Sequence, residues 1–177
     1  YQGTGATLTV GQQSNSYYNT YGSGDRSNII QCSSTGGGVN PAASNAMVNG
    51  ADSGGPGILT YATDMNFKFV FSQAVNITEV NIDLQGTYTG DDLGDSWLLE
   101  GSNNDSDYTV LSATIDMSST TNPEVHSLSL IGASDTYIYY RIRNTNGDGL
   151  NSNSWDEFNF KVAPLNPRST FQPDWVW

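Results

Sequence analysis

The sequence predicts an all-β fold: an antiparallel jelly-roll β-sandwich followed by an extended C-terminal arm. The chain is dense in Thr, Tyr, Val and Ile, whose side chains suit a pleated, half-buried surface, and 19 glycines supply turns. No window shows a sustained 3.6-residue apolar period, so no long helix is expected. About eight short apolar segments separated by turn residues are typical of two packed sheets. The 177 residues suffice for one domain with a core and leave little room for a second.

Three regions follow one another along the chain. Residues 1–27 form a lead-in, with the possible strand TLTV and a polar loop that contains tyrosines. Residues 28–162 form the sandwich, which opens with the short strand NIIQCS and a segment, 34–57, rich in Gly, Ser and Asn. A loop of that length inside a compact domain is usually functional or is held in place by other parts of the protein. Residues 163–177 form the arm.

Alternating apolar residues mark the core strands. Phe67, Phe69 and Phe71 fall on one face of NFKFVFS, the period of a strand with one buried side. The following segment places four residues inward, with one break that indicates a β-bulge: Ile77, Val80, Ile82 and Leu84. Further predicted strands are SWLLEGS, DYTVLSATI, EVHSLSLI, TYIYYRIRN and DEFNFKV. Trp97, near the start of the first of these strands, is expected to lie in the core.

The strand TYIYYRIRN has two different faces. Ile138, Tyr140 and Ile142 share one face, and the other carries Tyr137, Tyr139, Arg141 and Arg143. Two roles are open for the two arginines: they line a sheet face, or they pair with acidic residues.

The arm has a different composition from the sandwich. Its segment PLNPRSTFQPDWVW has three prolines, which resist both sheet and helix. Exposed tryptophan is costly in water, so the arm is expected to dock either on its own domain or on a partner. The predicted partner-binding residues are Phe171, Trp175 and Trp177.

The charge of the chain excludes several functions. The formal charge is −12, from 18 acidic and 6 basic residues, and such a field repels nucleic acids and anionic membranes.

Cys32 is the single cysteine and His126 the single histidine, so an intrachain disulfide is impossible and a structural zinc site is not expected. No run of 18 apolar residues occurs. Because the sequence starts with Tyr, it is open whether the chain is processed or is a fragment.

The sequence does not predict an enzyme. Its acidic residues fall mainly in Gly- and Asn-rich turns that solvent reaches, and a glycosidase instead needs two carboxylates across a cleft, one with a raised pKa. A nucleophilic triad needs a histidine base, and His126 lies in a strand pattern without a Gly-flanked serine. The acidic residues considered are Asp91, Asp92, Asp95, Glu100, Asp105 and Asp107.

The loops supply the residue types that sugar binding needs. An aromatic ring packs on the apolar face of a sugar, and amides, carboxylates or arginine bind its hydroxyls. The predicted ligand-binding residues are Tyr17, Tyr18, Tyr21, Arg26, Tyr61 and Trp155.

Several segments together resemble the discoidin family, also called the C-type domain of coagulation factors V and VIII. They are AMVNG, FKFVFSQAVNITEVNI, WLLEGSNNDSDYTVL, YIYYRIR and WDEFNF, and their order matches across about residues 28–162. The family includes the family 32 carbohydrate-binding modules. The resemblance implies an eight-stranded jelly roll that binds ligands, usually sugars, at the loops of one end and performs no chemistry.

The resemblance also implies a structural calcium ion. Carried over by position, its ligands are Asn49, Asp52 and Glu157. Calcium prefers six to eight oxygen ligands, and a Gly-rich loop can turn carbonyls toward it. The family more often has Asp at the position of Asn49, so one charge is missing here.

The combination of GDRSNII, a Gly-rich loop and this sandwich also resembles accessory proteins of tailed bacteriophages. Two functions follow. The first is a glycan-binding adhesion module, extracellular or on a virion surface. The second is a structural subunit of a virion or other assembly, which uses the arm for contacts within an oligomer.

Overall fold

Two antiparallel sheets form the structure. The computed structural model describes residues 29–35, 47–48, 65–85, 96–116, 124–131, 135–145 and 154–163. The strands in these ranges are β1 (Ile30–Thr35), β2 (Asn66–Val75), β3 (Ile77–Gln85), β4 (Ser96–Ser102), β5 (Thr109–Val110), β6 (Ile115–Asp116), β7 (Glu124–Ser129), β8 (Tyr137–Asn144) and β9 (Ser154–Val162).

The larger sheet has the order β1-β2-β8-β4-β5, and β6 also pairs with β4. The smaller sheet has the order β7-β3-β9. Every pairing among these strands is antiparallel, which confirms the predicted β-sandwich. Over the ranges given above, no helix is long and apolar enough to cross a membrane.

Phenylalanine rings join the two sheets. The predicted stripe on β2 meets two rings from β9 at centroid distances of 5.1 Å for Phe67–Phe158, 4.8 Å for Phe69–Phe158 and 4.9 Å for Phe69–Phe160. Tilted and edge-to-face ring pairs of this kind add about 1 kcal/mol each beyond the burial of their area. These four phenylalanines and Phe71 are at most 2% exposed, so the predicted inward face of β2 is confirmed.

The predicted bulge in β3 is also present. Ile77, Val80 and Ile82 are buried, and the register against β9 shifts between Ile77 and Glu79. This shift explains why the inward residues of β3 break the strict alternation. The side chain of Leu84 lies outside the described residues. Trp97 is fully buried, as predicted.

The start of β8 differs from the prediction. The prediction puts Tyr137 on the face of the arginines and Ile138 on the face of Tyr140 and Ile142. In the structure Tyr137 is buried like Tyr140 and Ile142, and Ile138 is only half-buried. The register of β8 against β2 is irregular between Val70 and Val75, so the strict alternation fails there. The ring of Tyr137 packs over Gly101, where no side chain competes for the space.

The strand ends beside the longest connections gather at one end of the sandwich. In each sheet the register sets these strand ends beside one another: Thr35, Asn66, Ser96, Asp116 and Asn144 in one sheet, and Gln85, Glu124 and Ser154 in the other. Both groups mark the same end, because β2 passes to β3 through the single residue Asn76 at the opposite end. We call this end the loop end. The three longest connections, 36–65, 86–95 and 145–153, and the seven-residue connection 117–123 leave this end and return to it, and the seven-residue connection 130–136 lies at the opposite end.

Gly101 provides a test of the core packing. A Cβ at this position would lie 2.6 Å from Cδ2 of Tyr137 and 2.9 Å from Cδ1 of Leu111. Gly101→Ala should therefore lower the free energy of unfolding by about 2 kcal/mol, because overpacking forces rings and backbone to shift. Urea denaturation measures the change, with Ser106→Ala at the exposed hairpin tip as the control. An unchanged midpoint for Gly101→Ala would contradict the packing of Tyr137.

Candidate functional site

Most of the predicted site residues lie outside the described residues, so their roles stay predictions. These residues are Tyr17, Tyr18, Tyr21, Arg26, Asn49, Asp52, Tyr61, Phe171, Trp175 and Trp177. The acidic residues Asp91, Asp92 and Asp95 also lie outside. Connectivity alone constrains three of them: Asn49, Asp52 and Tyr61 belong to the connection between β1 and β2, both of whose flanking strand ends are at the loop end.

The structure places the other two predicted site residues, Trp155 and Glu157, on β9. Trp155 is the second residue of the strand, and its backbone pairs with that of Leu84 at the loop end. Glu157 pairs with Asp83, and the register shifts between these two pairs. A predicted sugar contact and a predicted calcium ligand therefore lie two residues apart on one strand at the loop end.

Glu157 and Asp83 form a buried acidic pair. They are cross-strand neighbours and are only 3% and 7% exposed. Because Phe158 and Phe160 point into the core, alternation puts Glu157 and Asn159 on the outer face of the smaller sheet. The Nδ2 of Asn159 donates a hydrogen bond of 2.9 Å to Oδ2 of Asp83.

This acidic pair has the chemistry of a site for a hard cation. Two neighbouring buried carboxylates repel each other, and hydrogen-bond donors, a proton or positive charge must offset this repulsion. Carboxylate and amide oxygens are the donors that calcium binds, so Glu157 and Asp83 fit such an ion. The described ranges contain no cluster of three or more His, Cys, Asp or Glu residues, so any further ligands would have to come from carbonyls, amides, water or the rest of the chain.

A second charged cluster lies on the outer face of the larger sheet. Glu100 on β4 is 4% exposed and accepts hydrogen bonds from two arginines of β8. The Nε of Arg141 lies 2.5 Å from Oε2 of Glu100. Arg143 binds the same carboxylate twice, with Nε 3.1 Å from Oε2 and Nη2 3.0 Å from Oε1. Arg141 and Arg143 therefore have both of the roles that the sequence left open: they line a sheet face, and they pair with an acidic residue.

The electrostatics of Glu100 oppose a role as general acid. Burial alone would raise the pKa of its carboxyl group, but hydrogen bonds and positive charges from Arg143 and Arg141 outweigh burial and lower the pKa below its usual value. A general acid needs the opposite shift. Glu100 lies in a strand, as predicted for SWLLEGS, and the strand register places it between two arginines.

The hairpin between β4 and β5 folds against the same face. Asp105 at its tip has a positive φ of 60° and is held from two sides: Nζ of Lys68 lies 2.9 Å from Oδ2, and the hydroxyl of Tyr108 donates to Oδ1 at 2.5 Å. These hydrogen bonds lower the pKa of Asp105. The guanidinium of Arg141 stacks on the Tyr108 ring, 3.8 Å from its centroid.

The hairpin itself confirms the predicted turn. The Oδ1 of Asn104 accepts hydrogen bonds from the backbone N–H groups of Ser106 and Asp107, an Asx turn. Asp105 and Asp107 are exposed, as predicted for solvated turn residues. The acidic residues between β4 and β5 therefore belong to a hairpin turn that packs beside the outer face of the larger sheet.

Comparison with known proteins places the fold. No protein-family model matches the chain, and no curated protein matches it either. Among solved structures, the module CpGH89CBM32-6 of Clostridium perfringens is similar, with 14% identity over 76% of this chain and 94% of that one and a TM-score of 0.52. The family 32 module of Clostridium perfringens NanJ in complex with galactose has 15% identity over 74% and 92% and a TM-score of 0.51.

A third similar structure is the family 32 module of AlyQ in complex with 4,5-unsaturated mannuronic acid. It has 15% identity over 75% of this chain and 94% of that one, and a TM-score of 0.52. These structures are carbohydrate-binding modules with the discoidin-like sandwich. The predicted discoidin-like fold is therefore confirmed.

The two lowered pKa values predict acid sensitivity. A carboxyl group with a lowered pKa in the folded state stabilises the protein above its unfolded pKa, near 4, and this stabilisation is lost as the pH falls through the folded value. Glu100→Gln should lower the free energy of unfolding at pH 7 by about 3 kcal/mol, because a buried ion pair loses one partner.

The same variant should also lose less stability than the wild type between about pH 5 and pH 2. Urea denaturation at a series of pH values measures both effects, with the exposed Asp135→Asn as the control. An acid response identical to that of the wild type would show that Glu100 carries no stabilising ion pair.

Proposed function

We propose that the protein is a non-catalytic carbohydrate-binding module that holds a glycan at the loop end. One observation carries the proposal. The sandwich has the fold of family 32 modules, and the strand ends that flank its three longest connections all lie at one end. Similarity at 14% to 15% identity supports this fold and leaves the ligand to be tested.

The predicted binding residues suit this location. Trp155 is at the loop end by its strand register, and Tyr61 belongs to a connection that begins and finishes there. An aromatic side chain gives a sugar ring an apolar platform of low conformational entropy. We include Tyr17, Tyr18, Tyr21 and Arg26 of the lead-in as candidate contacts on the basis of their residue types.

The similar structures suggest which sugars to test first. They contain galactose, GalNAc-β-1,3-galactose and 4,5-unsaturated mannuronic acid. We extend the proposal to an extracellular location, where such glycans occur. Display on a phage virion is a further proposal, supported by the sequence resemblance alone.

Trp155→Ala tests the proposed glycan site. The variant should weaken binding to the glycan that the wild type selects from this panel by at least about tenfold, because about 1.4 kcal/mol of stacking is lost. Isothermal titration calorimetry measures the dissociation constants. Val110→Ala is the control, because Val110 is 53% exposed on the outer face of the other sheet.

Two outcomes would contradict the glycan proposal. One is a wild-type protein that binds no sugar of a broad glycan array. The other is unchanged affinity in Trp155→Ala. If the first occurred together with an oligomer that Trp175→Ala and Trp177→Ala dissociate, the structural subunit predicted from the arm would be the function instead.

We also propose that calcium binds at Glu157 with Asn49 and Asp52, the ligands that the resemblance implies, and with Asp83 as an added ligand, and that it ties the connection between β1 and β2 to the sheet. A ligand at about 100 times its dissociation constant adds about 2.7 kcal/mol, which corresponds to about 5–10 °C in Tm for a chain of this size. Chelation with EGTA should remove this increment from the wild type and have little effect on Glu157→Gln.

Thermal melts with calcium and with EGTA measure the increment, and calorimetric titration of calcium measures binding directly. Glu79→Gln is a matched control, because Glu79 lies on the same strand as Asp83 with its side chain 43% exposed. A wild type that neither binds calcium nor responds to EGTA would contradict the calcium proposal without affecting the glycan proposal.

A further inference from the structure

We propose that cation binding and glycan binding are coupled through β9, so that the loop end holds its sugar more tightly when the buried acidic pair holds calcium. The acidic pair is Asp83 and Glu157, and the residue that responds is Trp155. This inference rests on the proposed glycan site and the proposed calcium site, and it adds the regulation of the first by the second.

A β-bulge separates the acidic pair from Trp155. Asp83 on β3 pairs with Glu157 on β9. The next residue of β3, Leu84, pairs with Trp155, so one step along β3 matches two steps along β9, and Asp156 is the extra residue. A bulge interrupts the ladder and bends its strand. The direction of β9 at Trp155 therefore depends on how the two strands are held at the acidic pair.

The part of β9 beyond the bulge is held by few backbone pairs. Two pairs lie between the bulge and the start of the strand: Leu84 with Trp155, and Gln85 with Ser154. Among the described strands, β9 pairs with β3 alone, because it is an outer strand of the smaller sheet. Strand ends of this kind open at a lower free energy than the core. The start of β9 can therefore shift while the core stays intact.

The acidic pair is the last cross-strand pair before the bulge. Asp83 and Glu157 are 7% and 3% exposed, and the repulsion between two carboxylates is stronger in such surroundings than in water. The amide of Asn159 donates a hydrogen bond to Asp83, and a neutral donor offsets part of this repulsion. A divalent cation offsets more of it, so the two strands approach each other at the joint that orients Trp155.

The connection between β1 and β2 links the two sites in the same direction. Asn49 and Asp52, the calcium ligands that the resemblance implies, and Tyr61, a predicted sugar contact, all belong to this connection. A ligand that ties a connection to the sheet lowers its conformational entropy before the second ligand binds. The second ligand then has less ordering to do, which is positive cooperativity.

Coupling of this kind is reciprocal. If calcium raises the affinity for the glycan by some factor, the glycan raises the affinity for calcium by the same factor, because the two routes around the binding cycle have equal free energies. Such factors are about 5 to 150 in proteins, and we take about tenfold for two sites that share one short strand segment.

Calorimetric titration of the glycan in calcium and in EGTA measures the coupling. The probe is galactose, GalNAc-β-1,3-galactose or 4,5-unsaturated mannuronic acid, whichever the wild type binds most tightly in calcium. The dissociation constant of the wild type should be about tenfold higher in EGTA. Titration of calcium into protein saturated with the glycan should give a dissociation constant about tenfold lower than without it.

Glu157→Gln distinguishes electrostatic coupling from a simple loss of structure. Glutamine does not repel Asp83, so in EGTA this variant should bind the glycan more tightly than the wild type does, and calcium should no longer change its affinity. Asp83→Asn should act in the same direction, because asparagine keeps an oxygen that accepts the hydrogen bond from Asn159. Circular dichroism and the melting temperature check that both variants fold.

Glu79→Gln is the matched control. Glu79 lies on the same strand as Asp83, but its side chain is 43% exposed and its charge is 3.8 Å from Nζ of Lys161. This variant should keep the tenfold difference between calcium and EGTA.

The backbone amide of Trp155 gives a readout that needs no sugar. Calcium titration followed by nuclear magnetic resonance should shift the amide signals of Leu84 and Trp155, which lie beyond the bulge, and leave that of Val110 on the other sheet unchanged.

Three results would overturn the coupling and leave the glycan proposal standing. They are equal glycan affinity of the wild type in calcium and EGTA, amide signals of Leu84 and Trp155 that do not respond to calcium, and weaker binding in both buffers by folded Glu157→Gln and Asp83→Asn. A wild type that binds no sugar of a broad glycan array in either buffer contradicts both proposals, so the two failures are distinguishable.

Discussion

The contact between the phenylalanines of β2 and β9 is the interaction on which the rest of the structure depends. Because Phe67 and Phe69 point inward, Lys68 between them must point outward. In the same way, Phe158 and Phe160 direct Asn159 outward. One aromatic contact between the sheets thus determines which polar side chains appear on both outer faces, and it also keeps the strand ends at the loop end together.

The two outer faces carry charge clusters of opposite character. On the larger sheet, two arginines surround the single carboxylate of Glu100. On the smaller sheet, two carboxylates lie side by side at Asp83 and Glu157. Burial strengthens the interactions within each cluster, since charges removed from water interact more strongly than exposed ones. The two clusters lie on opposite sides of one core.

Local patterns in the sequence predicted the elements that local chemistry determines. The alternation of Phe67, Phe69 and Phe71 gave the buried face of β2, and the polar knot before Tyr108 gave the hairpin. The burial of Tyr137 was not predictable, because it depends on the missing side chain of Gly101 on another strand. Pairing of the two arginines with acidic residues was one of two roles left open by the sequence, and Glu100 as their partner was not predictable, because it depends on the strand register. The signal of this pairing, a glutamate on one strand and an alternating Arg-x-Arg on another, becomes readable only once the register is known.

The three longest connections lie at one end of the sandwich, and this affects where insertions and deletions in the sequence can be tolerated. At one end, the strands are joined by the single residue Asn76, the six-residue hairpin tip and the seven-residue connection 130–136, and an insertion at Asn76 would shift a register. At the other end, doubling the length of a connection costs only about 0.6 kcal/mol of closure entropy. Insertions and deletions can therefore accumulate at that end while the strands keep their pairing. The domain is, in this sense, a rigid scaffold for grafting new loops, and its recognition surface can diverge faster than its core.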